Sequence, residues 1–199
     1  MKIISARFIK SAVKPKQYPD LGLPEFAFFG KSNTGKSSLI NMLVNKPGLV
    51  KTGARPGMTR EVNFFVVNEA FCLVDLPGYG YAKVSKDIQK GFSEIPTEYC
   101  SNRTNLKTVF FLMDLRRVPT EQDEEVLKTL QTQGVPIALV GTKSDKLSRN
   151  ELNQSLMAWA KIFDLDPKDV FVTSSSKKVG GLNLLRLISE QIRGDSPQI

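Results

Sequence analysis

The stretch that most constrains this chain is Phe26–Ser38, FAFFGKSNTGKSS. A short apolar run breaks into Gly30-Lys31-Ser32-Asn33-Thr34-Gly35-Lys36-Ser37, the spacing G-x-x-x-x-G-K-[ST]. An apolar-periodic run, Leu39-Ile40-x-Met42-Leu43, follows it. Strand, loop and helix in that order form a cradle for polyphosphate. Successive backbone N–H groups between Gly30 and Ser38 can wrap the anion, and Gly30 and Gly35 let the backbone approach and turn without a Cβ in the way. The following helix directs its partially positive N-terminus at the same charge. Lys36 is placed to reach the β- and γ-phosphates, and the Ser37 hydroxyl to bind Mg²⁺. Chance would supply these four constrained positions in a chain of this size on the order of once in a hundred. The flanking strand and helix make an ordinary Gly-rich turn the poorer explanation.

With 199 residues, 41% hydrophobic and 24% charged, the chain is expected to form one globular domain over 1–199. Residues 1–24 read as a leader packed on it. No apolar run is long enough to span a bilayer, and Met1–Arg7 has no secretory h-region, so a cytoplasmic protein without a membrane partner is expected. Cys72 and Cys100 are the only cysteines and there is no histidine. That excludes histidine acid–base catalysis and makes a Cys/His zinc site untenable; Cys72 reads as a small buried apolar residue. Hydrolysis here must work by positioning and electrostatics. The net charge of +8 points to a polyanionic partner beyond a nucleotide, RNA rather than DNA. Lys2, Arg7, Lys10, Lys14 and Lys16 all precede the first acid, Asp20. A merely solvated basic surface is the alternative.

Taken in order, Ala6–Val13 suggests an edge strand or a segment packed on the sheet. Phe26–Phe29 is the first core strand and Lys36–Val44 the first helix. Lys46–Arg60, with Pro47-Gly48 and Pro56-Gly57, reads as a long loop. Glu61–Val67 and Ala70–Asp75 are strands joined at hairpin length by Asn68-Glu69. Leu76–Ser85 reads as a second loop, and Asp87–Cys100 as a weak helix interrupted by Pro96. Then come a strand at Val109–Met113, a helix at Thr120–Gln133 capped by Thr120 and Asp123, and a strand at Ile137–Val140. Ser148-Arg-Asn-Glu151 is a capping box opening a helix to about Phe163. A strand at Val170–Val172 and a helix at Leu182–Ile192 complete the pattern. The fold class expected is α/β: three layers, a mainly parallel sheet with one antiparallel strand, and helices on both faces. Ligands bind beyond the carboxyl ends of such strands.

Three further clusters fall at those ends. Asp75-Leu76-Pro77-Gly78 closes a buried strand, so Asp75 can hold a Mg²⁺-bound water and the Gly78 N–H can meet a γ-phosphate. Thr142-Lys143-Ser144-Asp145 follows the Ile137–Val140 strand. The Asp145 carboxylate can accept from N1–H and the N2 amino group of guanine, donors that adenine lacks, while the Lys143 stem lies over the base. Ser174-Ser175-Ser176 follows the last strand, where backbone groups could touch the base O6. Thr59, preceded by Gly57-Met58, could bring a hydroxyl to Mg²⁺ and an N–H to the γ-phosphate.

With GKSNTGKS, Thr59, DLPG and TKSD in this order, the chain resembles the translation-factor-type P-loop GTPases. PGMTREVNFF, DLPGYGYAKV at Asp75–Val84, DLRRVPTEQD at Asp114–Asp123 and TKSD in place of N-K-x-D narrow the resemblance to the EngB (YihA/YsxC) family of bacterial GTPases. It implies a P-loop NTPase fold of the Ras-like G-domain type and a monomeric Mg²⁺-dependent enzyme converting GTP to GDP and phosphate. It also implies action in assembly of the large ribosomal subunit, with rRNA as partner, and a need for the protein in cell division and septation. Two details bear on catalysis by Lys36, Thr59, Gly78 and Asn33. Tyr79 stands where Ras-like enzymes carry the water-orienting glutamine, so unassisted hydrolysis should be slow. Asn33 stands where potassium-stimulated relatives use asparagine to help hold K⁺, which makes K⁺ a candidate second cofactor. Two other classes are open: a P-loop kinase, disfavoured by the guanine-type TKSD, and a nucleotide-gated RNA-binding module with negligible turnover.

Overall fold

The computed structural model describes residues 1–51, 61–80 and 95–194. Seven strands form one sheet in the order β1-β3-β4-β2-β5-β6-β7. They are β1 (Ala6–Ala12), β2 (Glu25–Gly30), β3 (Val62–Val67), β4 (Phe71–Asp75), β5 (Leu106–Asp114), β6 (Ile137–Thr142) and β7 (Phe171–Val172). Only β3 is reversed, antiparallel to both β1 and β4; the β4-β2-β5-β6-β7 pairings are all parallel.

The central strands are buried on both faces, which is why their sequences are unbroken apolar runs and not alternating ones. Alternate side chains supply two separate cores. Phe26, Phe28, Phe110 and Leu112 meet Leu39, Ile40 and Leu43 of α1 (Lys36–Leu43) and Leu184, Leu185 and Ile188 of α5 (Gly181–Arg193). On the other face Phe29, Val109, Phe111 and Met113 meet Tyr99 of α2 (95–102), Leu127 and Leu130 of α3 (Glu121–Gln131) and Trp159 of α4 (Arg149–Phe163). The three expected layers are present. Cys72 lies fully buried in β4, and burial pushes its thiol up to about 12.

Local signals act where they stand in the sequence. Ser148 and Glu151 cap α4 reciprocally: the Ser148 N–H donates to Glu151 at 2.7 Å and the Glu151 N–H to the Ser148 hydroxyl at 3.3 Å. Asn68 and Glu69, with φ of 53° and 50°, and Ala70 make the three-residue β3–β4 turn: Val67 pairs with Phe71, and the Ala70 N–H donates to the Val67 carbonyl at 3.0 Å. The Asn68 side chain also accepts from the Ile4 and Ser5 amides, holding the chain that leads into β1, the edge strand.

For the elements bounded within the described residues, the ends fall within two residues of the sequence expectation except at the start of β5. β5 starts three residues earlier than Val109, because Thr108 is buried in the sheet although it breaks the apolar run. Pro96 does not interrupt α2 among the described residues. The rest of the expected Asp87–Cys100 helix lies outside the described residues. At the opposite end of β2 from the phosphate loop, Glu25 is fully buried and receives Arg103 Nε at 2.8 Å and the Tyr99 hydroxyl, tying α2 to the sheet.

Candidate functional site

The turn between β2 and α1 opens into a cavity of about 830 Å³ lined by Lys31 to Ser38, Asp75 to Gly78 and Lys143. Gly35, the N-cap of α1, has φ +102°, a conformation that side chains strain to adopt. Gly30 is required for a different reason from the one its motif position suggests. A Cβ there would lie 2.3 Å from the Leu112 carbonyl oxygen, so its small size serves the packing of β2 on β5.

The amides of this loop divide into two sets. The Ser32 N–H donates to the Tyr79 carbonyl at 2.9 Å and the Thr34 N–H to Lys31 at 3.2 Å, so those two hold the loop's own shape. The amides of Asn33, Gly35, Lys36, Ser37 and Ser38 donate to no other described group, and they surround the start of α1. Five donors, a helix N-terminus and the Lys36 ammonium make this mouth strongly anion-attracting. Inside it the Lys36 ammonium is bonded to the Asp75 carboxylate, with both side chains largely buried. The Ser37 hydroxyl and the Asp75 carboxylate share the cavity, an all-oxygen donor pair that fits a hard divalent ion such as Mg²⁺.

A second cluster adjoins it at the ends of β6 and β7. The buried Thr142 hydroxyl donates to the Thr34 carbonyl at 2.6 Å, and the Lys143 ammonium to the Asn33 carbonyl at 2.7 Å. The Ser144 N–H bonds the Thr173 carbonyl, which seats Asp145. Ser174 donates to Asp145 at 2.6 Å and lies 3.1 Å from the Ser176 hydroxyl, with Ser175 in the turn between. The Ser174 hydrogen bond, opposed in part by burial, then Ser176 and Lys146 hold the Asp145 carboxyl at about 2. It is therefore an anion at neutral pH, with one oxygen already committed to Ser174. The Asn33 side chain is exposed and makes no hydrogen bond to a described residue, so it does not cap its own loop. Gly57, Met58 and Thr59 lie outside the described residues.

Asp114 and Asp123 bear on the site although the sequence pattern assigns them no role in it. Asp114, at the end of β5, receives Lys143 at 3.0 Å and a two-pronged interaction from Arg116 at 3.0 and 2.7 Å. Burial would raise its carboxyl, but these cations hold it at about 2. Its signal in the sequence is the same as that of Asp75, an acid closing an apolar run. Tyr79 is turned inward, 3% exposed, with its ring near-parallel to Phe111 and 5.4 Å from Phe29. Its hydroxyl donates to Asp123 at 2.6 Å.

Comparison with known proteins agrees with this geometry. Residues 25–143 match the family described as 50S ribosome-binding GTPase. The probable GTP-binding protein EngB of Treponema denticola is 48% identical over 96% of this chain and 100% of its own length. A crystal structure of a probable GTP-binding protein engB superposes with a TM-score of 0.68, covering 85% of this chain and 99% of that one at 22% identity. Era bound to MgGDPNP and nucleotides 1506–1542 of 16S ribosomal RNA shares the fold, with a TM-score of 0.62 at 20% identity over 86% of this chain and 56% of its own. The phosphate cradle, the fold and the near half identity to a full-length relative together establish that this chain belongs to the EngB family of P-loop GTPases, which bind GTP and hydrolyse it.

Proposed function

We propose that the chain is a Mg²⁺-dependent guanine-nucleotide switch that binds the large ribosomal subunit, or its rRNA-containing precursor, when loaded with GTP. One observation carries the nucleotide part: five amides with no partner among the described residues, the Lys36 ammonium and the Ser37–Asp75 oxygen pair meet in a single cavity. In this reading the loop from Gly30 to Ser38 wraps the α- and β-phosphates. Lys36 would exchange Asp75 for the β- and γ-oxygens, and Ser37 and Asp75 would hold the ion. Bound Mg²⁺ would neutralise charge that develops on the transferring phosphoryl group. The Gly78 amide addresses the γ-phosphate, beside Leu76 and Pro77, and Thr59 is assigned its ion and γ-phosphate role on sequence alone. Asp145 selects guanine, supported by Thr142, Ser144 and the Ser174–Ser176 turn.

No side chain at position 79 can orient the attacking water, since the Tyr79 ring is packed in the core. Unassisted hydrolysis is therefore slow. The Asn33 side-chain amide, which has no hydrogen bond among the described residues, is assigned to K⁺, which would supply near the phosphates the charge an arginine finger supplies elsewhere. The ribosomal partner is supported by the description of the matched family and by the charge of +8. A role in subunit assembly, and through it in division and septation, follows from the family resemblance. We assign the protein to the cytoplasm, as a monomer built as one G domain to which the first 24 residues contribute the edge strand β1. Among the described residues no helix is long and apolar enough to cross a membrane.

The deciding experiment compares protein loaded with a non-hydrolysable GTP analogue and with GDP for capture of 50S subunits and their precursors. Capture by the triphosphate form alone is expected. Equal capture, or none, overturns the switch. Titration calorimetry with Mg²⁺ tests the site itself: ATP binding as tightly as GTP would remove the Asp145 assignment.

A further inference from the structure

We propose that Asp123, on α3 and outside every nucleotide motif, is a positioning residue that sets the DLPG turn against the phosphate loop through Tyr79. Its carboxylate, 6% exposed, is the meeting point of three parts of the chain. It accepts the Tyr79 hydroxyl at 2.6 Å, the Thr120 N–H at 2.8 Å and the Thr120 hydroxyl at 2.7 Å, and lies 3.8 Å from the Lys31 ammonium. Burial pushes this carboxyl up, but the Tyr79 and Thr120 bonds and Lys31 outweigh it, and it stays below the usual range.

Tyr79 is the element that conveys this anchor to the site. Its N–H donates to the Gly30 carbonyl at 3.4 Å and its carbonyl accepts the Ser32 N–H, so residue 79 is stitched to the phosphate loop on both sides. Gly78, one residue earlier, is pressed so closely on that loop that a Cβ would lie 2.8 Å from the Gly30 oxygen and 3.3 Å from the Ser32 nitrogen. A ring held at one end by Asp123 and at the other by two backbone bonds leaves the Gly78 amide little freedom. Removing the anchor frees the turn to shift, and a donor displaced from its acceptor loses bond strength. The bond that weakens first is the one made only to a γ-phosphate. The diphosphate, held by the amides at the start of α1, is hardly affected.

This inference rests on the proposed γ-phosphate role of Gly78, and the test separates the two. The measured quantity is the ratio of dissociation constants for a non-hydrolysable GTP analogue and GDP, in Mg²⁺, using the full chain. Tyr79→Phe keeps the ring and removes only the hydroxyl; Asp123→Ala removes the carboxylate. Each should raise the ratio about tenfold, the scale of one charge-assisted hydrogen bond. The double variant should be no worse than Asp123→Ala alone. Leu130→Ala, a core truncation at the far end of the same helix, should lower the melting temperature without moving the ratio. An unchanged ratio in Tyr79→Phe and Asp123→Ala, or fully additive effects, overturns the inference. If Gly78→Ala moves the ratio in that case, the γ-phosphate reading survives and only the latch is wrong. If Gly78→Ala also leaves it unchanged, the γ-phosphate reading falls as well.

Discussion

Replacing Asp114 by asparagine tests whether the two halves of the nucleotide site are joined by charge. Asp114 sits at the end of β5, with its side chain 5% exposed, between Lys143 and Arg116. The Lys143 ammonium has two oxygen partners, Asp114 at 3.0 Å and the Asn33 carbonyl at 2.7 Å. The substitution keeps the shape but removes the charge from the first and leaves the second. A hydrogen bond between charged groups contributes roughly 1.5–3 kcal/mol. Water reaches the Lys143 side chain, which is 30% exposed, and moves the loss toward ~1–2 kcal/mol. If that loss appears in nucleotide binding, Kd rises about five- to thirtyfold. The rise should lie in the dissociation rate, measured by release of a fluorescent GDP analogue, because the net charge that steers association changes little. Preference for GTP over ATP should survive, since Asp145 keeps its Ser174 partner. Lys143→Ala should show a similar loss and the double variant no more than the larger single one. A Kd within twofold of the unaltered protein, or loss of guanine preference in Asp114→Asn, refutes this account.

Arg103→Met should leave the fully buried Glu25 carboxylate with the Tyr99 hydroxyl as its one remaining side-chain partner among the described residues. The expected cost is about 3–5 kcal/mol, or roughly 6–20 °C in thermal unfolding for a chain of this size; a shift under about 2 °C would show that the pair is dispensable. Tyr79→Gln should not accelerate GTP hydrolysis, because residue 79 points into the Phe29–Phe111 cluster, and a gain in single-turnover rate would show that the ring can leave it. Hydrolysis should be faster in KCl than in NaCl, and Asn33→Ala should abolish the difference; equal rates in the unaltered protein remove the K⁺ assignment. Asp114 is depressed in the folded protein from 3.8 to about 2, so its contribution to stability is complete above about pH 4 and disappears as pH falls through about 2. Asp114→Asn should flatten that limb of an acid-unfolding curve monitored by fluorescence, and an unchanged limb would contradict the depressed value.

Much of the fold is legible in the sequence because its signals are local. An unbroken run such as Val109–Met113, too short for a buried helix, reads as a strand covered on both faces. Ser148 and Glu151 mark the start of α4 through bonds three residues apart. The phosphate loop is legible for the same reason, since Gly35, Lys36 and Ser37 act where they stand. What escapes is set at long range. Lys143 and Asn33 are 110 residues apart, and nothing near either predicts that one would close on the other. The sequence shows that position 79 lacks a glutamine, but only the packing against Phe29 and Phe111 shows that its ring is unavailable to the site. Gly30 is legible as a glycine and misread in its reason: the crowding comes from Leu112 on a strand that the motif does not mention.

Asp114 is the instructive omission, because a general physical rule would have found it. In a sheet of parallel strands covered on both faces, each carboxyl end opens into the one region where polar groups are tolerated. An acid closing such a strand is half withdrawn from water and must find a cation. β4 ends in Asp75 and takes Lys36, whereas β5 ends in Asp114 and takes Lys143 and Arg116. Just past the end of β6, Asp145 has Lys146 at 3.4 Å and the Ser174 hydroxyl. Register keeps these acids together, with Asp75 level with Phe28 of β2 and Asp114 level with Thr142 of β6. Each acid therefore fixes a lysine or arginine close to where phosphate or base would lie. In the pair formed with Asp75, Lys36 is a cation that an incoming polyphosphate could recruit. The pair formed with Asp114 is different in kind, because Lys143 also grips the phosphate loop and joins the two halves of the site.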